Sequence, residues 1–325
     1  MKAAVCNRYG SPDVLQIEEV DLPIPGANEI LIKIITSTVS APDYRVRSFD
    51  VPSAMWLVAR FVMGITKPKY PILGAEFSGM VSTVGKSVNR FKVGDEVLGV
   101  SLPKFGGYGA YLSIKENGTL VHKPANINWM EAAAIPIGAM TAFYYLDRVK
   151  IKKDQRIIVY GASGSVGSYA VQLAKLFGAK VTAVCSAKNF EMVKDLGAEK
   201  AFDYKNRNWY KELQDYDVYF QAVDKCPFFI AETVLKEGGT YVNITNPFPS
   251  LRMVISTIKK NIKLRMAKDF PQSNDELENM VELIANKKMK VVIDTFFELD
   301  NIVEAHQYVD KGHKRGNVII KVGDF

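Results

Sequence analysis

Gly161, Gly164 and Gly167 stand between the apolar run Ile157-Ile158-Val159-Tyr160 and the stretch 168–177, whose apolar residues recur at helical spacing. A strand, a glycine turn and a helix in this order can hold a pyrophosphate. Gly161 permits the tight turn, Gly164 offers no side chain to obstruct a phosphate, and Gly167 lets the helix pack close to the strand. Ser163, Ser165 and Val166 fill the turn. Free N–H groups and the positive dipole end at the helix start attract an anion. The plain alternative is a glycine-punctuated α/β turn without a ligand, and the residues that follow argue against it. About twenty residues past such glycines, a site for an unphosphorylated ribose commonly carries Asp or Glu. Here Ser186 occupies that place, with Lys188 beside it and no carboxylate before Glu191. A hydroxyl and a cation suit a 2′-phosphate, so the spacing favours NADPH over NADH.

The elements that must position these residues fall into two rhythms. Residues 1–124 read as β-rich, with runs at 3–6, 15–20, 29–35, 79–84, 96–100 and 110–113 separated by Gly- and Pro-bearing turns. That spacing predicts a compact barrel-like unit. From 125 onward a helix over 129–149 is followed by alternating strands (156–160, 180–185, 200–203, 217–222, 239–244) and helices (190–196, 209–213, 227–235). Alternation of this kind predicts an α/β fold with a doubly wound parallel sheet. A helix over 275–286, a strand over 291–297, a helix over 301–311 and a strand over 317–322 close the chain, and they could return to the first domain. The expected division is therefore 1–124 with 289–325 as one domain and 125–288 as the other.

With 48% hydrophobic and 24% charged residues over 325 positions, the chain can build sizeable cores, and disorder is excluded as its class. Cys6, Cys185 and Cys226 are too few and too scattered for a disulfide framework or zinc-ligand spacing, which fits a reducing, cytoplasmic setting. The net charge of +7 is spread over dispersed lysines, which reads as a solvated basic surface and argues against nucleic acid. No stretch is long enough to span a bilayer. The apolar segment 53–65 is too short and is interrupted by Arg60, so it is expected to pack over a cleft or core, with a membrane-surface helix as the alternative.

Several blocks, taken together, resemble the medium-chain dehydrogenase/reductases. They are Pro71-Ile-Leu-Gly-Ala-Glu-Phe-Ser-Gly79, Val84-Gly85, Phe91-Lys-Val-Gly-Asp-Glu-Val97, the stretch 131–142, Gly161-Ala-Ser-Gly-Ser-Val-Gly167 and the stretch 305–318. The chain is most similar to the zinc-free quinone oxidoreductase branch, which includes zeta-crystallin and the enone reductases. The resemblance implies a GroES-like domain, a Rossmann domain and a homodimer, formed by edge pairing near 239–244 or 262–266. It places Thr141 close to the nicotinamide, Ser163, Gly164, Ser165 and Val166 along the pyrophosphate, and Tyr204 near the adenosine phosphate. It also closes the pocket around the nicotinamide ribose with Val223, Thr245, Gly316 and Asn317. Relatives often read Phe-Asp-x-Val-Gly where this chain has Phe220-Gln-Ala-Val-Asp224, a departure at Gln221 and Asp224.

The same resemblance sets the chain against zinc alcohol dehydrogenases, whose Cys, His and Cys fall here on Ser40, Ala75 and Ile137. None of these can serve as a strong zinc ligand, so no metal is expected. Without a Lewis acid an isolated ketone is hard to polarise, whereas a quinone or α,β-unsaturated carbonyl spreads incoming charge onto an oxygen that hydrogen bonds can stabilise. The implied activity is hydride transfer from NADPH to such an acceptor. An NADP(H)-binding adaptor or sensor with little turnover is the alternative. Candidate donors to the developing oxygen are Ser40, Tyr44, Arg45, Arg47 and Thr141, and Tyr44 could also return a proton. Relatives often carry Asn at the place of Ser40 and Tyr at that of Arg45.

Overall fold

The structure is a computed structural model, and it describes residues 1–52, 55–268 and 273–323. The chain opens with the antiparallel pair β1 (Lys2–Cys6) and β2 (Leu15–Glu19). The long strand β3 (Glu29–Thr38) leads to the helices α1 (Ala41–Ser48) and α2 (Trp56–Met63). Strands β4 (Glu76–Val84), β5 (Glu96–Val100), β6 (Tyr111–Lys115) and β7 (Leu120–His122) follow, then the short helix α3 (Trp129–Ala133). β3 pairs antiparallel with both β4 and β6, and inward residues of these strands (Ile30, Ile32, Ile34, Phe77, Leu112) form a core with Val97 of β5. Of the expected packing segment 53–65, Ser53 and Ala54 lie outside the described residues. Trp56–Met63 is helical, but it buries only Ala59, so the expectation that it covers a core does not hold.

The single helix expected over 129–149 is two helices, because Pro136 lacks an N–H and starts α4 (Pro136–Val149) afresh. The alternation then runs β8 (Arg156–Tyr160), α5 (Ser165–Leu176), β9 (Lys180–Cys185), α6 (Phe190–Asp195), β10 (Lys200–Asp203), β11 (Tyr216–Gln221), α7 (Phe228–Val234), β12 (Leu235–Asn243), α8 (Leu251–Lys259) and β13 (Lys263–Arg265). All six strands are parallel in the order β10-β9-β8-β11-β12-β13, which is the doubly wound arrangement. Two expectations fail here. The segment 209–213 is a series of turns, with Trp209, Lys211 and Leu213 each donating to a carbonyl three residues back. The stretch 239–244, one of the two named for edge pairing, falls on β12 up to Asn243, between β11 and β13, so it has no free edge to pair with a second copy; the other, 262–266, contains β13, which with β10 forms the two edges of the sheet.

The C-terminal elements are α9 (Asn274–Ala285), β14 (Ile293–Glu298), α10 (Ile302–Asp310) and β15 (Asn317–Lys321). β15 pairs antiparallel with β3 and parallel with β14, so the last strands do return to the first sheet. The chain separates into two compact units, Met1–Ile137 with Gln272–Asn286 and Ile293–Phe325, and Gly138–Pro271 with Lys287–Val292. This differs from the expected division at 124 and 289. Thr36 and Ser78 both donate to the Trp129 carbonyl, at 2.7 and 2.8 Å, which holds α3 on the first sheet. The Asn274 side chain accepts from the Leu120 N–H at 2.8 Å, which draws α9 to β7.

Candidate functional site

In the second unit, β8 ends at Gly161, whose φ of +81° favours glycine. The Gly161 and Ala162 N–H groups donate to the Val184 carbonyl at 2.9 and 3.2 Å, which pins the turn to β9. A Cβ on Gly167 would lie 2.1 Å from the Gly161 carbonyl oxygen, so only hydrogen fits there. Gly164 differs. It N-caps α5 without a side-chain hydrogen bond, and a Cβ there would meet only the Gly161 oxygen, at 3.4 Å. The first N–H groups of α5 therefore face open space, with Ser163, Ser165 and Val166 half-buried around them. Gly138 of α4 lies against this start, since a Cβ on it would come within 2.6 Å of Ser165 Oγ and 2.8 Å of the Tyr169 ring. Thr141, one turn further along α4, shares that face and is half-buried.

At the end of the next strand, Ser186 Oγ donates to the Tyr204 hydroxyl at 3.1 Å. Two residues that sequence spacing and family likeness had picked separately thus meet, with exposed Lys188 in the turn beside them. Sequence reasoning overlooked Asp203, which the β9–β10 register sets opposite Cys185. Its carboxylate already accepts from the Ala187 N–H at 3.3 Å and the Lys205 N–H at 2.9 Å.

Val223 covers Gly161, and its Cγ2 would stand 2.9 Å from a Cβ there. The departing residues around it form a closed polar network. Gln221 Nε2 and Asn243 Nδ2 both donate to Asp224 Oδ1, at 2.9 and 3.2 Å. Asn243 Oδ1 accepts from the Thr245 N–H at 3.0 Å and the Thr245 hydroxyl at 2.8 Å. Gln221 Oε1 is buried with no partner among the described residues. The sequence signal for Asn243 was a buried amide ending the apolar run Tyr241-Val242, and it went unread.

The first unit holds a buried polar cluster. Asp43, fully buried, accepts from the N–H and the hydroxyl of Ser40, and its Oδ1 accepts from the Gly74 N–H at 2.9 Å. Burial pushes its carboxyl up to about 6 against those hydrogen bonds. Glu76 accepts from the Thr38 hydroxyl at 2.5 Å and the Ile137 N–H at 2.7 Å, and burial pushes it up to about 7. Lys314 donates to the Gly316 carbonyl at 2.7 Å, and desolvation holds its amine down to about 8. Gly316 has φ +65° and leads into buried Asn317 at the start of β15.

The other candidates in this unit divide. Tyr44 and Arg45 are half-buried, and among the described residues no side-chain hydrogen bond or ion pair holds them. Arg47 is sealed: its guanidinium grips both oxygens of Asp310 at 2.7 and 2.6 Å and donates to the Gly10 carbonyl at 2.9 Å. It ties α1 to α10, which corrects the expectation of a donor to substrate. His306 is a packing residue. Its Nε2 lies 3.2 Å from the Tyr108 hydroxyl, which itself donates to the Thr38 carbonyl. Burial holds the imidazole down to about 3, so it is neutral.

Comparison with known proteins agrees with this architecture. Residues 26–125 match the family described as the alcohol dehydrogenase GroES-like domain, and residues 196–320 match the one described as zinc-binding dehydrogenase. The spinach quinone-oxidoreductase homolog, chloroplastic, is 31% identical over 96% of this chain and 95% of that protein. The Arabidopsis thaliana NADPH-dependent alkenal/one oxidoreductase, chloroplastic, is 31% identical over 98% of this chain and 79% of its own length. The structure of the quinone oxidoreductase from Coxiella burnetii superposes with a TM-score of 0.88 at 26% identity, covering 99% of each chain. The chain belongs to the medium-chain dehydrogenase/reductase superfamily, with a GroES-like domain and a parallel-sheet Rossmann domain. Within it, the chain stands among relatives named quinone oxidoreductases.

The zinc implied by one family description does not fit the residues present. Ala75 and Ile137 offer no ligand atom, and the Ser40 hydroxyl donates to Asp43. Among the described residues no group of three His, Cys, Asp or Glu could hold a metal ion. A dinucleotide does fit: α5 starts uncapped over the open space at Gly164, and Ser186 and Tyr204 place two hydroxyls at the end of the neighbouring strand.

Proposed function

We propose that this chain is a zinc-independent reductase that uses NADPH to reduce a quinone or an α,β-unsaturated carbonyl. Relatives spanning nearly the whole chain carry the names quinone oxidoreductase and NADPH-dependent alkenal/one oxidoreductase, which supports the reading. The observation that carries it is the uncapped start of α5 together with the Ser186–Tyr204 pair.

The N–H groups at the start of α5 hold the pyrophosphate, while Ser163 and Ser165 offer hydroxyls beside it. Ser186, Tyr204 and Lys188 hold the 2′-phosphate. Thr141, Val223 and Thr245 bound the nicotinamide and its ribose. When bound, NADPH supplies a hydride. The acceptor must then place negative charge on an oxygen, and the chain must donate hydrogen bonds to it. Thr141 serves as such a donor. Ser40 positions the start of α1, because its one proton is directed at Asp43.

The protein acts as a homodimer, pairing along β13, one of the two edge strands of the parallel sheet. Its three cysteines are buried and unpaired, which supports a reducing compartment, the cytoplasm. Among the described residues no helix is long and apolar enough to cross a membrane.

The test follows NADPH oxidation by chelator-treated protein against quinones, enals, cyclic enones and unconjugated ketones. Turnover confined to the conjugated acceptors supports the proposal. Equal turnover of simple ketones, or tight NADPH binding with no acceptor reduced, overturns it.

A further inference from the structure

Helix α2 reverses the usual polarity of a surface helix. Its outward face is apolar: Leu57, Val58, Phe61 and Val62 are 68, 59, 78 and 67% exposed, and Ile65 just beyond is 65% exposed. At 100° per residue these four helical positions fall on one side, opposite buried Ala59. The cation is turned inward instead. The Arg60 guanidinium sits over Phe49 at 4.0 Å and over Tyr9 and Trp56 at 4.9 Å, and it donates to the Ile65 carbonyl at 2.6 Å.

The helix is also firmly mounted. The Tyr9 hydroxyl donates to the Gly64 carbonyl at 2.9 Å, and the Lys69 N–H donates to the Met63 carbonyl at 2.6 Å. A Cβ on Gly64 would lie 2.0 Å from the Lys67 carbonyl oxygen, so the turn that follows α2 is tight. A contiguous apolar face held out in this way marks a binding surface.

Charge identifies the occupant. From Val51 to Ala75 the chain contains Arg60, Lys67 and Lys69 and no Asp or Glu; Asp50 lies just before this span. Lys67 and Lys69 are exposed and border the apolar face at its C-terminal end. A symmetric contact with a second copy would bring these lysines toward their own counterparts, which costs like-charge repulsion. An anionic lipid surface gains from both features, taking the apolar face among its acyl chains and the lysines at its headgroups. We propose that α2 is a membrane-surface anchor, lying in the plane of an anionic bilayer. At eight residues, about 12 Å long, it lies on the membrane and does not cross it.

The test is flotation of the intact protein with vesicles of phosphatidylcholine alone and of phosphatidylcholine mixed with phosphatidylglycerol. It reads membrane binding, so failure of the reductase assay leaves it unaffected. Binding at least about tenfold stronger to the anionic vesicles is expected, falling with salt. The double variant F61S/V62S should lose that binding with an unchanged melting temperature. K67E/K69E should lose only the preference for phosphatidylglycerol. No flotation of the wild-type protein, or flotation unaffected by either double variant, overturns the proposal. So does a sedimentation measurement in which F61S/V62S turns a dimer into a monomer, since a second copy would then cover the face.

Discussion

Two helix starts in this molecule solve the same electrostatic problem in opposite ways. α1 begins at Ser40 with Asp43 in its first turn, and that carboxylate satisfies the Ser40 and Gly74 N–H groups from inside the protein. α5 begins at Gly164 with no capping side chain and no acidic residue in its first turn. Its positive end is left open, and a Cβ at Gly164 would find space there. The proposed anion site is one of omission: where the chain supplies its own carboxylate the helix start is closed, and where it supplies glycine the start is left open to an outside phosphate.

The largest effect is expected at the closed start. Asp43→Ala leaves buried N–H donors without an acceptor and should destabilise the protein by about 3 kcal/mol, read by denaturant unfolding. Nearly as large is Gly167→Ala, where the new methyl would overlap the Gly161 carbonyl; about 1–3 kcal/mol of stability should be lost. Gly164→Ala sharpens the contrast. Stability should change by no more than about 0.5 kcal/mol, while NADPH affinity falls on the order of tenfold as the methyl enters the phosphate space. If Gly164→Ala binds NADPH as well as the parent, the open start is not where the phosphates sit.

A pH effect follows from the closed side. Burial raises Asp43 from 3.8 to about 6 and Glu76 from 4.5 to about 7, so the folded state favours their protonated forms. Their contribution is full below about pH 4 and is lost as pH rises through 6 and 7. Lys314, held down to about 8, changes its contribution only above that pH. The melting temperature should therefore decline between about pH 5 and pH 7.5, and Glu76→Gln should flatten the upper part of that decline. An identical slope in the variant would remove Glu76 as its source. The smallest effect is one of selectivity: Ser186→Asp should reverse the preference for NADPH over NADH, read as the ratio of kcat/KM, without moving the melting temperature.

What could be read from the sequence follows from how far apart the cooperating residues lie. The Gly161–Gly167 turn is one continuous stretch, so its strand, turn and helix were all legible, as was the parallel, doubly wound sheet; the order of its strands was not, and the return of β15 to the first sheet stood only as an option. Ser186 and Tyr204 were each named, but their contact needs β9 beside β10. The buried cluster was not legible. Asp43 meets Gly74 across 31 residues, Thr38 meets Glu76 across 38, and Arg47 meets Asp310 across 263. Arg47 looked like a donor because an arginine near a presumed substrate face is usually solvated, and only α10 reveals its partner. The exposed face of α2 was misread for the same reason, since apolar residues at helical spacing ordinarily face a core.

In the proposed function, α5 and the end of β9 together hold a 2′-phosphorylated dinucleotide for reduction of conjugated acceptors. Titration of chelator-treated protein with NADPH and NADH, followed by a quinone in the same cell, tests it most directly. Tighter binding of NADPH, with its oxidation starting when the quinone is added, is the predicted result. Equal binding of the two coenzymes, or oxidation only after a divalent metal is restored, would contradict it.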